Sequence, residues 1–270
     1  MGQVVHTLPK GKSIFGVTSL DNEIFLLRLK ERHQVEVYDV ISYRLQRRLT
    51  VPNASKFSFT DMTSCEHHHC LYIGDHIADC IHRLGEHGAG TQWPVNDVPI
   101  GLSVNAAHNV IVTCQVVRKI KEFSSHGDLL RELTLPDGVI NPWHTIQSRS
   151  DQFIVCHGVR GDSIHRVCMI SADGRHIVHS HGGHWGKDIG QYYVPSHLAF
   201  GDNECVYVAD ANNRRVTLFS PTLNYIRQVM SSDKVKWRPL RLYLDVQRRR
   251  LYVASFEQKH TSGRVVAFSV

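Results

Sequence analysis

Short apolar runs recur along the whole chain, and polar turn residues separate each run from the next. In the best-defined stretch, the runs Ser196–Phe200, Cys205–Ala209, Arg215–Phe219 and Tyr225–Met230 alternate with Gly, Asp, Asn and Pro. Apolar runs of this length between turn residues are typical of β-strands. No stretch keeps the helical period of about 3.6 residues, so we expect helices to be absent or limited to single turns.

This strand pattern repeats at a spacing of about forty residues, which is typical of the blade of a β-propeller. The repeats open near Ile14, Phe57, Ile100, Trp143, His197 and Leu240. The sequence therefore predicts an all-β fold: a single six-bladed β-propeller of four-stranded antiparallel blades that spans residues 1–270. We expect the blades near residues 10–52, 53–95, 96–138, 139–191, 192–235 and 236–270, the last completed by 1–9.

The last repeat lacks one strand, and the N-terminus offers a replacement. The repeat contains the runs Leu240–Val246, Leu251–Ser255 and Arg264–Ser269, and then the chain stops. The segment Gln3–Pro9 has the composition of a fourth strand that ends in proline. We expect it to pair beside Val265–Val270, because this pairing closes the ring and removes the exposed edges of an open sheet.

Two histidine-rich segments contain residue types that bind metals. The longer fourth repeat includes the Gly- and His-rich segment His179–Gly186, which we expect to form a long loop. The segment Cys65–Cys70 holds two cysteines and three histidines, but it lies where the hairpin turn between the first two strands of the second blade belongs. We interpret it as a turn, because no second ligand pair follows at the spacing of a structural zinc site.

Composition and charge narrow the functional class. Apolar residues at 42% and charged residues at 21% are ordinary for a globular protein. We find no apolar run of membrane-spanning length and no secretory signal at the N-terminus. The seven cysteines are an odd number scattered along the chain, which favours reduced thiols and a cytoplasmic location. The net charge of +6 permits contact with nucleic acid or with an acidic protein.

One part of the fifth repeat resembles the core of an NHL repeat. Val206–Phe219 reads as an apolar strand, Ala-Asp, a polar turn with Asn-Arg, and a second strand, and Gly190–Pro195 resembles the Gly-Gln-aromatic lead-in of that family. The resemblance to the NHL domain of tripartite-motif proteins implies a propeller that binds RNA or protein partners. Ubiquitin-ligase activity is not implied, because the chain lacks the paired Cys/His spacing of RING and B-box domains.

Cationic and aromatic residues concentrate on one predicted face. In such a blade, the loop between the second and third strands and the loop between blades lie on the same side, here called the loop face. Single-stranded nucleic acid is bound through cations that contact phosphates and rings that stack on bases. In the alternative interpretation, Trp before Pro packs between blades and the arginines are solvated. The candidate ligand-binding residues are Arg118, Lys119, Trp143, Arg160, Tyr193, Arg214, Arg215, Trp237 and Lys259.

A second candidate group lies at the predicted channel mouth. His144, His197 and Arg241 occupy equivalent places in successive blades, whereas the third blade has Gly101 there. Neighbouring imidazoles bind zinc or line a channel through hydrogen bonds, and an open zinc site normally needs three protein ligands. The related peptidyl-amidating lyase carries zinc-binding histidines in its channel, so the resemblance implies a metal-dependent lyase or hydrolase as the alternative function.

The expected function is therefore that of a non-catalytic binding module or scaffold. Its partner is a protein or a single-stranded or hairpin RNA, bound on the basic, aromatic loop face. We expect no cofactor and no catalytic residue, because the sequence contains no assembled nucleophile, base and orienting group. We also expect a monomer that binds neither a membrane nor DNA.

Overall fold

Six four-stranded antiparallel sheets form the protein. The computed structural model describes residues 2–9, 11–28, 34–54, 58–85, 88–231, 237–256 and 262–270. The innermost strand of each sheet contacts the innermost strand of the next sheet, and the sixth sheet contacts the first in the same way. The sheets are therefore blades around a common axis, and the prediction of an all-β, six-bladed propeller is confirmed.

Within the described residues the chain forms twenty-four strands. The first eight are β1 (Gln3–Thr7), β2 (Ile14–Leu20), β3 (Glu23–Arg28), β4 (Gln34–Asp39), β5 (Leu45–Thr50), β6 (Phe59–Cys65), β7 (Cys70–Asp75) and β8 (Cys80–Gly85). The next eight are β9 (Gly90–Pro94), β10 (Pro99–Val104), β11 (Val110–Cys114), β12 (Lys119–Phe123), β13 (Leu129–Thr134), β14 (Pro142–Gln147), β15 (Phe153–His157) and β16 (Ile164–Ile170). The last eight are β17 (Ile177–His184), β18 (Pro195–Phe200), β19 (Val206–Asp210), β20 (Arg215–Phe219), β21 (Tyr225–Met230), β22 (Arg238–Asp245), β23 (Arg250–Phe256) and β24 (Gly263–Ser269).

Blades one to five each consist of four consecutive strands, from β2–β5 to β18–β21. The first three strands of a blade are mostly buried, because their apolar side chains pack between neighbouring blades. The cluster that contains Tyr72 and Trp93 of blade two, with Val112 and Phe123 of blade three, is one example. The fourth strands β5 and β13 are largely exposed, as expected at the rim of the ring.

The predicted closure of the ring by the N-terminus is confirmed. Strand β1 pairs antiparallel with β24, with Gln3 opposite Ser269 and Thr7 opposite Val266. The N–H of Leu8 donates to the carbonyl of Val265 at 2.9 Å, and the Leu8 side chain is buried. Blade six is therefore built from both ends of the sequence, in the order β1-β24-β23-β22.

The histidine-rich segments have different outcomes. The interpretation of Cys65–Cys70 as a hairpin turn is confirmed, because β6 ends at Cys65 and β7 begins at Cys70. The prediction of a long loop over His179–Gly186 was wrong, since β17 continues to His184. The long strand β16 supplies backbone hydrogen-bonding partners over its whole length, and Gly182 takes a φ of 108° in its partner. The flexible backbone of glycine therefore lets the strand continue where the composition suggested a loop.

Helices and disulfides contribute little to the fold. Within the described ranges the single helical element is a 3-10 turn over Asp202–Glu204, as expected from the absence of helical periodicity. In the same ranges we find no helix with the length and apolar character needed to cross a membrane. All seven cysteines are free thiols, and six of them are buried.

Candidate functional site

The first strand of every blade has a register shift close to its start, and one residue of each blade stands at this step. In blade four, Pro142 pairs with His157 and His144 pairs with Cys156, so one extra residue stands between them. The same step recurs in the other blades. The residues at this step, in blade order, are Gly16, Asp61, Gly101, His144, His197 and Arg241.

An ion pair joins blade six to blade two across this level. The Nε of Arg241 donates to Oδ1 of Asp61 at 2.8 Å, and its Nη2 donates to the carbonyl of Thr60 at 2.6 Å. Asp61 also accepts the N–H groups of Met62 and Leu102, each at 2.9 Å. Burial alone would raise the pKa of Asp61, but the nearby guanidinium of Arg241 holds it well below its usual value. We call this ion pair the axial brace.

Two stacked imidazoles lie beside the axial brace. The ring centroids of His144 and His197 are 3.7 Å apart. Their Nε2 atoms lie 3.8 and 3.5 Å from Oδ2 of Asp61. Both side chains are buried, and burial lowers the pKa of each imidazole, so both are neutral at pH 7.

The hydrogen bonds of these imidazoles fix their tautomers. The N–H of Leu242 donates to Nδ1 of His197 at 3.3 Å, which leaves the ring proton of neutral His197 on Nε2. The Nε2 of His144 lies 3.0 Å from the carbonyl of Leu102 and therefore also carries a proton. A metal needs the unprotonated nitrogen. Asp61, His144 and His197 are close enough to form a ligand group, but their hydrogen bonds fit a channel lining better than a metal centre.

Glycine is required at one of the axial positions. A Cβ added at Gly101 would lie 2.5 Å from the carbonyl oxygen of Trp143 and 3.0 Å from the Cα of His144. Both are backbone atoms of the next blade and cannot move aside. Gly101 therefore allows blades three and four to approach closely, which positions His144 against the axial brace.

A cavity of about 240 Å³ lies beside this level, towards the ends of the first strands. Residues of all six first strands line it, and its walls are mainly apolar, as at Leu102, Ile146, Phe200 and Leu244. The rings of His144 and His197 complete the wall nearest the axial brace. This cavity opens on the side of the first-to-second-strand turns, here called the turn face, which lies opposite the loop face.

On the loop face, three arginines of blades four to six form a group that we call the arginine sector: Arg160, Arg214 and Arg238. Burial lowers the pKa of Arg238, and the positive charges of Arg214 and Arg160 lower it further, so both of these guanidiniums repel that of Arg238. Among the described residues no carboxylate pairs with any of them. The Nε of Arg238 is buried and has no hydrogen-bond partner there.

Aromatic rings border the arginine sector. Tyr193 lies between Trp185, at 5.5 Å between ring centroids, and His165, at 5.7 Å. Trp185 is 62% exposed, which leaves most of its surface accessible. Trp237, by contrast, is buried between blades five and six, and the guanidinium of Arg264 covers its ring at 4.0 Å. Trp143 is half-buried against the core of blades four and five.

Other residues predicted for the loop face are already engaged within the chain. Arg118 contacts Asp137 at 3.3 Å, and Lys119 contacts Glu132 at 2.6 Å. Arg215 pairs with buried Asp210 at 2.8 Å and donates to carbonyls of the loop that precedes β18. Lys259 lies outside the described residues. The structure therefore brings together Arg160, Arg214 and Tyr193 of the predicted set, whereas the other described members lie apart or in the core.

Sequence reasoning missed Asp61 and Arg238. In five blades a proline or a glycine in the first strand marks the axial position in the sequence. The first strand of blade two has neither residue there. Arg238 stands between Trp237 and Pro239, in the same aromatic-x-Pro pattern that drew attention to its neighbours. That pattern was the available signal for Arg238, whereas Asp61 required the strand register.

Comparisons with known proteins show the fold alone. No protein-family profile matches the chain, and no curated protein matches it in sequence. A structure of streptogramin B lyase superposes with a TM-score of 0.66 at 12% identity, covering 96% of this chain and 84% of that one. The PQQ-bound aldose sugar dehydrogenase of Streptomyces coelicolor gives 0.73 at 13%, covering 100% and 98%. The β-propeller domain of Cps50 (Swd1) from Myceliophteria thermophila gives 0.64 at 10%, covering all of both chains.

Proposed function

We propose that this propeller is a non-catalytic binding module that holds single-stranded RNA on the loop face of blades four to six. The observation that carries the proposal is the arginine sector: three neighbouring guanidiniums without a carboxylate partner among the described residues. Like charges held together are unfavourable until an anion joins them. A chain of phosphates supplies such anions at successive positions.

The aromatic border supports RNA as the anion. Half-buried Tyr193 lies near Arg238, and exposed Trp185 contacts Tyr193. Base stacking on such rings contributes about 1–3 kcal/mol per base. The resemblance of Val206–Phe219 to an NHL repeat points in the same direction, because Arg214 lies in the turn of that motif. A monomeric state and a cytoplasmic location belong to the same proposal, and the seven free thiols support the location.

Salt dependence distinguishes RNA from a protein partner. Each phosphate contact to a single strand contributes about 0.7 to the slope of log affinity against log salt. Three contacts therefore give a slope of about −2, and affinity falls roughly 20-fold between about 50 and 200 mM salt. A protein interface that depends on aromatic anchors responds far less to salt.

The test is fluorescence anisotropy with a random-sequence, single-stranded RNA at these two salt concentrations. We expect the double variant Arg160→Ala, Arg214→Asn to weaken binding at least about tenfold and to reduce the slope by about 1.4. Asn is chosen because Arg214 has a φ of 54°, which Asn tolerates better than Ala. The matched control, Arg149→Ala with Arg175→Ala, removes two exposed arginines on the turn face and should change neither value.

Three outcomes would contradict this proposal. The first is an absence of RNA binding at the lower salt concentration, and the second is equal loss in the control variant. The third is tighter binding of duplex DNA or of a polyglutamate peptide, which would assign the arginine sector to a different anion. If the double variant does not fold, Trp185→Ala serves instead, because a side chain that is 62% exposed contributes little to the core.

A second candidate function is a lyase or hydrolase in the channel. The observation in its favour is the cavity of about 240 Å³ whose wall includes the stacked rings of His144 and His197. If this enzyme uses a metal there, the purified protein contains an ion that is lost in a His144→Gln, His197→Gln variant. Elemental analysis of both proteins tests this, and metal content that is unchanged in the variant argues against a channel metal.

A further inference from the structure

A cysteine, a histidine and an aspartate meet inside blade two, remote from the arginine sector. Asp75 ends β7 and Cys80 begins β8 directly opposite it. Because side chains alternate along a strand, His82 lies on the same face of β8 as Cys80. All three residues are buried, with exposed fractions of 0% for Asp75, 4% for Cys80 and 2% for His82.

Their donor atoms converge on one point. The Nε2 of His82 lies 3.3 Å from Oδ2 of Asp75 and 3.6 Å from Sγ of Cys80. Both contacts use the same ring nitrogen. A catalytic relay of thiol, imidazole and carboxylate needs the two different nitrogens of the ring. This geometry therefore does not form such a relay, and it resembles three ligands around a shared centre.

The spacing fits a tetrahedral zinc ion. Zinc bonds measure about 2.0–2.1 Å to nitrogen, about 2.3 Å to thiolate sulfur and about 2.0–2.2 Å to carboxylate oxygen. Tetrahedral angles then place the nitrogen and oxygen ligands about 3.4 Å apart, and the nitrogen and sulfur ligands about 3.6 Å apart. The two distances from His82 Nε2 agree with these values within about 0.1 Å.

We propose that Asp75, Cys80 and His82 form a zinc site. One thiolate and one carboxylate neutralise the two positive charges of the ion, which suits a buried position. The other carboxylate oxygen of Asp75 accepts the N–H groups of Ile77 and Ala78 at 3.0 and 2.9 Å. These bonds orient Oδ2 towards the other two ligands, as outer contacts do in zinc proteins.

The carboxylate of Asp79 lies near Cys80 but is not one of the three converging donors. The Oδ1 of Asp79 is buried and has no hydrogen-bond partner among the described residues. The negative charge of Asp79 reaches the thiol of Cys80. Asp75, Cys80 and His82 supply three ligands, and the fourth position of a tetrahedral ion is left to a ligand from outside this group.

Blade five shows how the same place is occupied in another repeat. There Asp210 ends the second strand, and Arg215 stands opposite it in the register that Cys80 has opposite Asp75. The Nε of Arg215 donates to Asp210 at 2.8 Å. Blade two has the short thiol of Cys80 where blade five has the long guanidinium of Arg215. A zinc ion in blade two would therefore supply the positive charge that Arg215 supplies in blade five.

The experiment uses Co²⁺ as a spectroscopic substitute for Zn²⁺. The full-length protein is stripped with a chelator and titrated with Co²⁺. We expect thiolate-to-cobalt charge-transfer absorption that saturates at one ion per chain and disappears when Zn²⁺ is added. Cys80→Ser should abolish this absorption. Cys205→Ser changes a partly exposed thiol elsewhere and should retain the absorption. So should His67→Ala with His68→Ala, which removes one exposed and one partly exposed imidazole.

Two results would overturn the proposal. Wild-type protein without charge-transfer absorption would reduce the three residues to a buried hydrogen-bonded group, and absorption that persists in Cys80→Ser would place the metal at another thiol. If Cys80→Ser does not fold, thiol alkylation of the wild type replaces it. Bound Co²⁺ should protect Cys80 from alkylation under partial denaturation, and equal modification with and without the ion contradicts the site. None of these readouts depends on RNA binding.

Discussion

The axial brace should contribute strongly to stability, and Arg241→Met tests this. Methionine keeps much of the length of the side chain but removes the guanidinium. The change deletes the 2.8 Å ion pair with Asp61 and the 2.6 Å hydrogen bond to the carbonyl of Thr60. Removing one partner of a buried ion pair typically costs about 3–5 kcal/mol, because the other charge stays buried without compensation.

The surroundings of Asp61 place the expected loss near the lower end of that range. Its carboxylate keeps the N–H groups of Met62 and Leu102, both at 2.9 Å. We therefore expect the free energy of unfolding to fall by about 3 kcal/mol. Adding Asp61→Asn removes the uncompensated charge, so the double variant should be more stable than Arg241→Met alone by about 1–2 kcal/mol.

Urea unfolding at pH 7.5, followed by tryptophan fluorescence, measures all three proteins. The matched control is Arg248→Met, which removes a partly exposed ion pair to Asp245 at 3.0 Å and should cost less than about 1 kcal/mol. A cost for Arg241→Met no larger than that of the control would refute the reasoning. Additive costs for Asp61→Asn and Arg241→Met would refute it as well, because residues in direct contact should be coupled.

Two further predictions concern the loss of stability at acidic pH and the stability cost of a larger residue where two blades pack closely. Burial, helped by the charge of Arg166, lowers the pKa of His157 to about 4, so below pH 6.5 the unfolded chain binds the extra proton. This imidazole alone should remove about 2 kcal/mol of stability between pH 7.5 and pH 5, and urea titrations of wild type and His157→Gln should show a shallower pH dependence in the variant. Gly101→Ala should cost about 1–3 kcal/mol, measured by thermal unfolding, because the new Cβ meets the backbone of Trp143 at 2.5 Å. Gly183→Ala, with nothing within 4 Å of its Cβ, should change stability by less than about 0.5 kcal/mol. Equal effects of the two alanines, or an unchanged pH dependence, would contradict these expectations.

The fold was predictable because its determinants are local and repeated. Strand alternation in segments such as Arg215–Phe219 and Tyr225–Met230 needs only neighbouring residues, and both strands appear with the predicted bounds. The brace was not predictable in the same way. Asp61 and Arg241 meet only after the ring has closed, and they come from blades that are not adjacent. The exposure of an aromatic residue also depends on the neighbouring blade: Trp237 became core, whereas Trp185 stayed on the surface.

Equivalent positions in this propeller carry different chemistry, and this bears on the kind of ligand. At the axial level, Asp61 and Arg241 join blades two and six, which flank blade one, and His144 and His197 stack beside them. These buried side chains separate the loop face from the cavity near the turn face. A ligand at the arginine sector would therefore contact the loops of blades four to six and not the cavity of about 240 Å³. Concavity does not decide between an extended polymer and a small molecule, because a cavity of about 460 Å³ lies beside Arg214. The salt dependence of binding, rather than the shape of the loop face, is therefore the property that tests RNA as its ligand.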